Sequence, residues 1–241
     1  KQWGKTSMAD REKIIRFYKG TDGEEYAARL VDNAEAVNKT RKFRTSDFLD
    51  PYGQEIAETV AANYDSIHVE FEGGYSGAER QCAVFIHDDF PGKPAFDIKV
   101  ICASWNDKFY HISHRDVLGA LMGLGIDRRN IGDLLIDSGN AKIICTDKIS
   151  DFIINNLTAV GSAAVSCKYD DLTAIPAREE RCREISATVA SLRIDSIAAA
   201  GYGSSRSKMT SDISADKLKL NWQPVKNPSQ TVKEGDIISM R

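Results

Sequence analysis

Residues 204–221 read Ser204-Ser205-Arg206-Ser207-Lys208-Met209-Thr210-Ser211-Asp212-Ile213-Ser214-Ala215-Asp216-Lys217-Leu218-Lys219-Leu220-Asn221. Two patterns meet in this stretch. Ser204 or Ser205 supplies an N-cap for a short helix, which places Arg206 and Lys208 in its first turn. Cations there oppose the helix dipole unless an anion lies between them. Free backbone N–H groups beside a guanidinium and an ammonium make a phosphate site. From Lys217 the period changes to two, so that Leu218 and Leu220 share one face while Lys217 and Lys219 share the other. Solvated lysines on an edge strand also block aggregation. Their coincidence with Arg206 and Lys208 favours binding.

Working outward, Ser191 to Ala199 reads as a first short helix, capped by Ser191 and ended by Gly201. Two short helices therefore meet at a glycine turn. Downstream, Gly235-Asp236 turns into Ile237-Ile238-Ser239-Met240, a second strand. The last 51 residues hold eight basic and five acidic side chains, a net of +3, whereas the first 190 carry −6. Cationic charge is thus concentrated in residues 191–241, although the whole chain is mildly acidic at −3.

Upstream, Pro176 opens an alternating-charge stretch, Arg178 to Glu184, and Ile185 to Leu192 reads as extended. Residues 176–190 are taken as a charged connector and leading strand. Residues 65–175 show strand periodicity: Ile67, Val69 and Phe71 alternate with polar residues, Cys82 to Ile86 is apolar enough for a central strand, and Ile98 to Ala103 makes another. His114 to Gly123 reads as a helix, Leu134 to Ile136 and Ala141 to Cys145 as a hairpin about Ser138-Gly139-Asn140, Ile149 to Leu157 as a second helix, and Ala163 to Tyr169 as a closing strand. This order predicts an RRM-like or ferredoxin-like α+β domain.

Residues 1–64 show apolar spacings of three and four at Ile14, Ile15 and Tyr18, at Tyr26, Leu30, Val31 and Ala34, and at Ile56, Val60 and Ala61. They predict a helical N-terminal domain. Thr45 to Pro51 reads as a turn pinned by Phe48 and Leu49, with Asp50 capping a helix that opens on Pro51.

The chain has 241 residues, 42% of them hydrophobic and 28% charged, with 6 Pro and 17 Gly. That composition excludes collagen, long disorder and a disulfide mini-scaffold. No apolar run approaches the ~18 residues that cross a bilayer, so membrane insertion is not expected. The chain opens on Lys1 without an apolar signal core, and no targeting peptide is legible. Five scattered cysteines without a CxxC pair disfavour a disulfide framework and a zinc site and read as small core residues.

Catalytic motifs are not found: no phosphate loop, no Gly-x-Ser-x-Gly elbow and no HExxH. Gly201-Tyr202-Gly203-Ser204-Ser205-Arg206 begins like a dinucleotide fingerprint but has Arg where the third glycine belongs. His111 and His114 lie three apart near Asp116 without a third metal ligand at a telling distance. Gly119, Gly123 and Gly125 read as sites of close helix-to-sheet packing. Arg128, Arg129 and Lys142 are candidates to extend an RNA surface. No cofactor or metal is implied.

At these residues a resemblance becomes specific. Arg193-Ile194-Asp195, Ser205-Arg206-Ser207-Lys208, Lys217 to Asn221, Asn227-Pro228-Ser229 and Lys233-Glu234-Gly235-Asp236 resemble the RNA-binding domain first described in small-subunit ribosomal protein S-four. Asp216 stands where that family has a left-handed glycine. Thr45 to Pro51, Gly73-Gly74-Tyr75-Ser76-Gly77-Ala78-Glu79-Arg80 and His114 to Ile126 resemble the YlmH-like family, in wording closest to its cyanobacterial and plastid branch, known as photosystem II S-four domain proteins.

The resemblance implies a non-catalytic protein that binds structured RNA, ribosomal RNA or tRNA, and associates with the large ribosomal subunit in translation quality control. It implies no DNA specificity, and a place in the chloroplast stroma or the cyanobacterial cytoplasm. By analogy Arg193, Ser205, Arg206, Ser207, Lys208, Lys217, Lys219, Asn221 and Lys226 bind RNA, with Arg206 forking onto one phosphate. The alternatives are an RNA-modifying enzyme with an appended S-four module and a scaffold for photosynthetic complex biogenesis.

Overall fold

The computed structural model describes residues 8–177 and 183–240 and divides into two compact units, Lys1–Glu180 and Arg181–Arg241. Arg178 to Cys182, within the charged stretch, lie outside the described residues. The architecture is α+β, with seven α-helices and several antiparallel sheets among the described residues.

The first unit opens with α1 (Met8–Tyr18) and α2 (Glu24–Thr40), followed by β1 (Phe43–Leu49), α3 (Pro51–Ala61), β2 (Ile67–Glu72) and β3 (Gln81–His87). Asp50 caps α3 as expected: its Oδ1 accepts from Gly53 N at 2.8 Å, and Pro51 takes the first turn. Thr45 to Leu49 is not a turn, however. It is a bulged edge strand paired with β3, and the Ser46 hydroxyl accepts Ala83 N–H at 2.9 Å where the ladder register slips. Polar Thr-Ser-Asp suggested a turn because the hydroxyl that mends a bulge has the same composition as one that makes a loop. The sheet order is β1-β3-β2, so the two strands that periodicity grouped with the later ones pair instead with β1. β3 is central and buried on both faces, as its apolar run required. Leu30, Val31, Ile56 and Val60 cover one face with Phe85.

The second half of this unit runs β4 (Ile98–Ser104), α4 (His114–Gly123), β5 (Ile131–Asp137), β6 (Asn140–Thr146), α5 (Asp147–Asn156), a small hairpin of β7 (Ala159–Val160) and β8 (Ala163–Ala164), and β9 (Ser166–Asp170). Its antiparallel sheet has the order β5-β6-β4-β9, which places the first and third strands of a βαββαβ chain in the middle. That is the ferredoxin-like order. Ile101, Ile143 and Cys145 meet Val117 and Leu121 of α4 and Ile153 of α5 on one face.

The opposite face meets the first sheet. Phe48, fully buried, packs with Val100, Ile144 and Cys82. Gly132 allows this, since a Cβ there would stand 2.8 Å from the Phe48 ring. The Gly73-to-Arg80 loop rivets the junction: Asp133 accepts from Tyr75 Oη at 2.8 Å, Glu79 N at 2.8 Å and Arg80 N at 3.0 Å. The Arg80 guanidinium donates to the Ile131 and Phe48 carbonyls. Gly73 has no room for a side chain, since its Cβ would fall 2.3 Å from that of Ala78.

The second unit holds α6 (Ile194–Gly201), α7 (Arg206–Ser214), β10 (Leu218–Leu220), β11 (Gln223–Pro224) and β12 (Ile238–Met240), in the order β11-β10-β12. Ile194, Met209, Leu218 and Val225 form its core. Ile185 to Leu192 forms no strand; the chain meets the 228–232 stretch at an Arg193–Thr231 bridge, through Val232 N–H to the Leu192 carbonyl, Ile194 N–H to the Gln230 carbonyl and Asp195 N–H to the Pro228 carbonyl. Arg193, not Ser191, takes the N-cap position of α6.

Candidate nucleic-acid interface

The turn from α6 to α7 is organised by Asp195, an acid that the sequence reading quoted in a motif but gave no role in the site. Asp195, only 4% exposed, lies in the first turn of α6, where a carboxylate complements the helix dipole. It accepts from Arg193 Nε at 3.2 Å and Nη2 at 2.9 Å, and from Arg206 Nη2 at 2.9 Å. The Arg193 guanidinium, then that of Arg206, holds its carboxyl down at about 2 despite burial. Arg206 is the first residue of α7, where its charge opposes the local dipole; the bond to Asp195 supplies the missing anion. The side chain stays 53% exposed, so one edge of the guanidinium is gripped and the other faces solvent.

Ser205 is the N-cap, its Oγ accepting Lys208 N–H at 3.2 Å and standing 3.1 Å from Ser207 Oγ. The backbone N–H groups of Arg206 and Ser207 point out of the helix start, as the first amides of any helix do. Lys208 is exposed, with no ion pair among the described residues. Lys219 is half-buried between the inward Leu218 and Leu220.

Lys217, Lys226 and Asn221 are each held by a neighbouring side chain. Lys217 pairs with Asp212 at 3.0 Å, and Lys226 with Asp216. Asn221 closes a turn: its amide donates to Asp236 at 2.9 Å and its Oδ1 accepts Ile237 N–H at 2.9 Å. Asp216 adopts the left-handed conformation, with φ 54°, where the resemblance places glycine. The structure therefore gathers Arg193, Ser205, Arg206, Ser207 and Lys208 about Asp195 and the α7 start, and neutralises Lys217 and Lys226 locally. Asp195 was legible as the end of the Arg193-Ile194-Asp195 motif, but its burial between two guanidiniums was not. Half-exposed Tyr202, whose Oη donates to the Ile238 carbonyl at 3.0 Å, was also missed.

In the first unit the expected extension of the basic surface is not present. Arg128 donates to the Ile131 and Gly132 carbonyls, and burial, with Arg80 beside it, pulls it down to about 10. Arg129 pairs with Asp127 and Glu25, and Lys142 with Asp170 at 3.0 Å. The central strands offer no open aromatic platform of the kind an RRM uses to stack bases, because Val100 and Ile144 are covered by Phe48 and Tyr75.

Three family models match this chain: "YlmH, N-terminal" over residues 22–90, "Putative RNA-binding domain in YlmH" over 91–174, and "S4 domain" over 192–238. A curated relative, "Ribosome-associated protein quality control protein P2" of Bacillus subtilis (strain 168), is 35% identical over 208 residues, covering 85% of this chain and 80% of its own. The chain belongs to the YlmH family. Among solved structures, "Cell division protein ylmH from Streptococcus pneumoniae" matches with a TM-score of 0.53 at 20% identity, over 72% of this chain and 98% of that one, which bears on the fold. Two of the three motifs that carry the YlmH resemblance, Thr45 to Pro51 and Gly73 to Arg80, thus serve the junction between sheets. The basic cluster lies in the S4 domain.

Proposed function

We propose that this YlmH-family chain binds structured RNA, ribosomal RNA or tRNA, through the start of α7, and that it works by binding on the large ribosomal subunit. The observation that carries the reading is the Asp195 clasp. It fixes two guanidiniums beside two outward amides and the ammonium of Lys208, which is an array suited to phosphates. Lys208 and Lys219 act as point charges and the outer edge of Arg206 as a fork. Arg193 and Asn221 act as positioning residues; Ser205 and Ser207 shape the cap.

The Bacillus subtilis relative's name supports a role in ribosome-associated quality control. The wording of the motifs at Thr45 to Pro51, Gly73 to Arg80 and His114 to Ile126 supports the chloroplast stroma or the cyanobacterial cytoplasm as its place. Catalysis forms no part of this reading. Desolvation pushes the buried thiols of Cys82 and Cys145 up to about 12, which disfavours their thiolate forms at neutral pH.

The test is sedimentation of tagged protein with ribosomal subunits, followed by sequencing of crosslinked RNA. The double variant Arg206→Ala with Lys208→Ala is expected to lose at least tenfold in RNA or subunit binding, with a melting temperature near that of the wild type. Unchanged binding by a folded double variant refutes the assignment.

A further inference from the structure

The third YlmH motif, His114 to Ile126, is not absorbed by the S4 site, and the structure leaves much of it facing solvent. Just before it, the β4–α4 connection is pinned at both ends. Trp105 and Ile112 are half-buried against the helix-side core, and Trp105 N–H reaches the Gly139 carbonyl at 2.9 Å. Between the pins, Asn106 organises a tight turn. Its carbonyl accepts from Phe109 N and Tyr110 N, both at 3.3 Å, and its Oδ1 accepts from Lys108 N at 3.1 Å. That scaffold holds two aromatic rings outward, Phe109 at 76% exposure and Tyr110 at 37%. They are the only consecutive pair of exposed large hydrophobics among the described residues.

The surroundings are cationic at the right points. Lys108 and Arg115 are exposed and make no ion pair among the described residues, and His111 and His114 are exposed beside them. Asp107 faces solvent as well, but Asp116 is turned into the helix cap, accepting from Ser113 N at 2.9 Å and Ser113 Oγ at 2.6 Å. Arg115, Gly119 and Gly123 follow at spacings of four along one stripe of α4. A Cβ added at either glycine would meet nothing within 4 Å, so neither packs against the sheet as the sequence suggested. Gly119, inside the helix, lowers its stability relative to alanine. What they provide is a bare helix surface beside Arg115.

The geometry points to a second RNA-contacting surface on this chain: Phe109 and Tyr110 stack on unpaired bases, while Lys108 and Arg115 hold the adjoining sugar-phosphate backbone against the bare face of α4. Exposed rings interleaved with cations suit single-stranded nucleic acid, since every base has a face to stack and every link a phosphate to neutralise. A protein partner would use the rings but would not call for cations around them. The inference rests on the reading of the chain as an RNA binder. It moves the contact of the middle domain from the sheet face, which is covered, to the β4–α4 edge.

The test uses the full chain and two fluorescein-labelled probes, an unstructured uridine-rich RNA of about 12 nucleotides and a stem-loop RNA. Phe109→Ala with Tyr110→Ala is expected to weaken oligomer binding tenfold or more, because it removes both stacking platforms. Stem-loop binding and the melting temperature should stay near wild type. Gly119→Leu should raise the melting temperature yet weaken oligomer binding, a combination that a purely structural role does not produce.

Unchanged oligomer binding by the folded double variant overturns the inference, as does a wild-type chain that binds the stem-loop but not the oligomer in 50 mM salt. So does ribosome co-sedimentation that depends on Phe109 and Tyr110 without any oligomer binding, which marks a protein partner. If instead oligomer binding depends on these rings while Arg206→Ala with Lys208→Ala leaves stem-loop binding intact, the α7 reading falls and this one stands.

Discussion

Asp195 Oδ2 and Arg206 Nη2 lie 2.9 Å apart, joining the first turn of α6 to the first residue of α7. The contact does two things at once. It offsets a cation placed against its own helix dipole, and it aims that cation's outer edge away from the core. The basic cluster of this YlmH protein is built around an acid.

Asp195→Ala is expected to cost about 1–2 kcal/mol of stability in the S4 domain, the lower range for a buried acceptor whose partners can still reach water. Arg206→Ala should cost less, because Asp195 keeps both contacts with Arg193. Asp195→Ala also makes the domain more positive. If charge alone governed binding, RNA affinity would rise; loss of the clasp should lower it several-fold, and fluorescence anisotropy decides between them.

Acid should loosen the same clasp. The Asp195 carboxyl is lowered from 3.8 to about 2 by the arginines, so its contribution is fully present above about pH 4 and is lost as pH falls through about 2. An acid titration followed by circular dichroism should show the wild-type S4 domain losing stability faster between pH 4 and 2 than the Asp195→Ala variant does.

Salt dependence should be shallower than the residue list suggests. Five outward cations would neutralise about five phosphates and lose two to three orders of magnitude of affinity between 50 and 200 mM salt. Lys217 and Lys226 already face Asp212 and Asp216. With Arg193, Arg206 and Lys208 engaged, the fall should be about 20- to 40-fold for a probe confined to the S4 site, measured with the Phe109 and Tyr110 rings removed.

The rivet at Asp133 can be tested apart from RNA. Asp133→Ala removes three hydrogen bonds to the Gly73-to-Arg80 loop, and Phe48→Ala empties a fully buried ring site. The second should cost about 3–5 kcal/mol. Calorimetry should show the transition of the first unit moving down while stem-loop binding, read below that transition, is retained.

Much of the fold was legible because local chemistry decides it. Asp50 before Pro51, the apolar run of β3, the βαββαβ order and Ser205 before Arg206 are instructions carried within a few residues. β1 was misread as a turn for the converse reason: a bulged edge strand is defined by its partner, and Ser46 gains its meaning only when Ala83 N–H arrives from 37 residues away.

The same division holds for the site. The amino-acid order alone determined that cations concentrate in residues 191–241, that a cap precedes Arg206, and that Leu218 and Leu220 take the face opposite to Lys219. Only the tertiary structure decided which cations are outward and which are matched by carboxylates, because an ion pair depends on distances between separate elements. It also decided that the middle sheet is closed at Phe48 while Phe109 and Tyr110 stand open. An apolar or aromatic residue reads alike in sequence whether another chain segment covers it or water does.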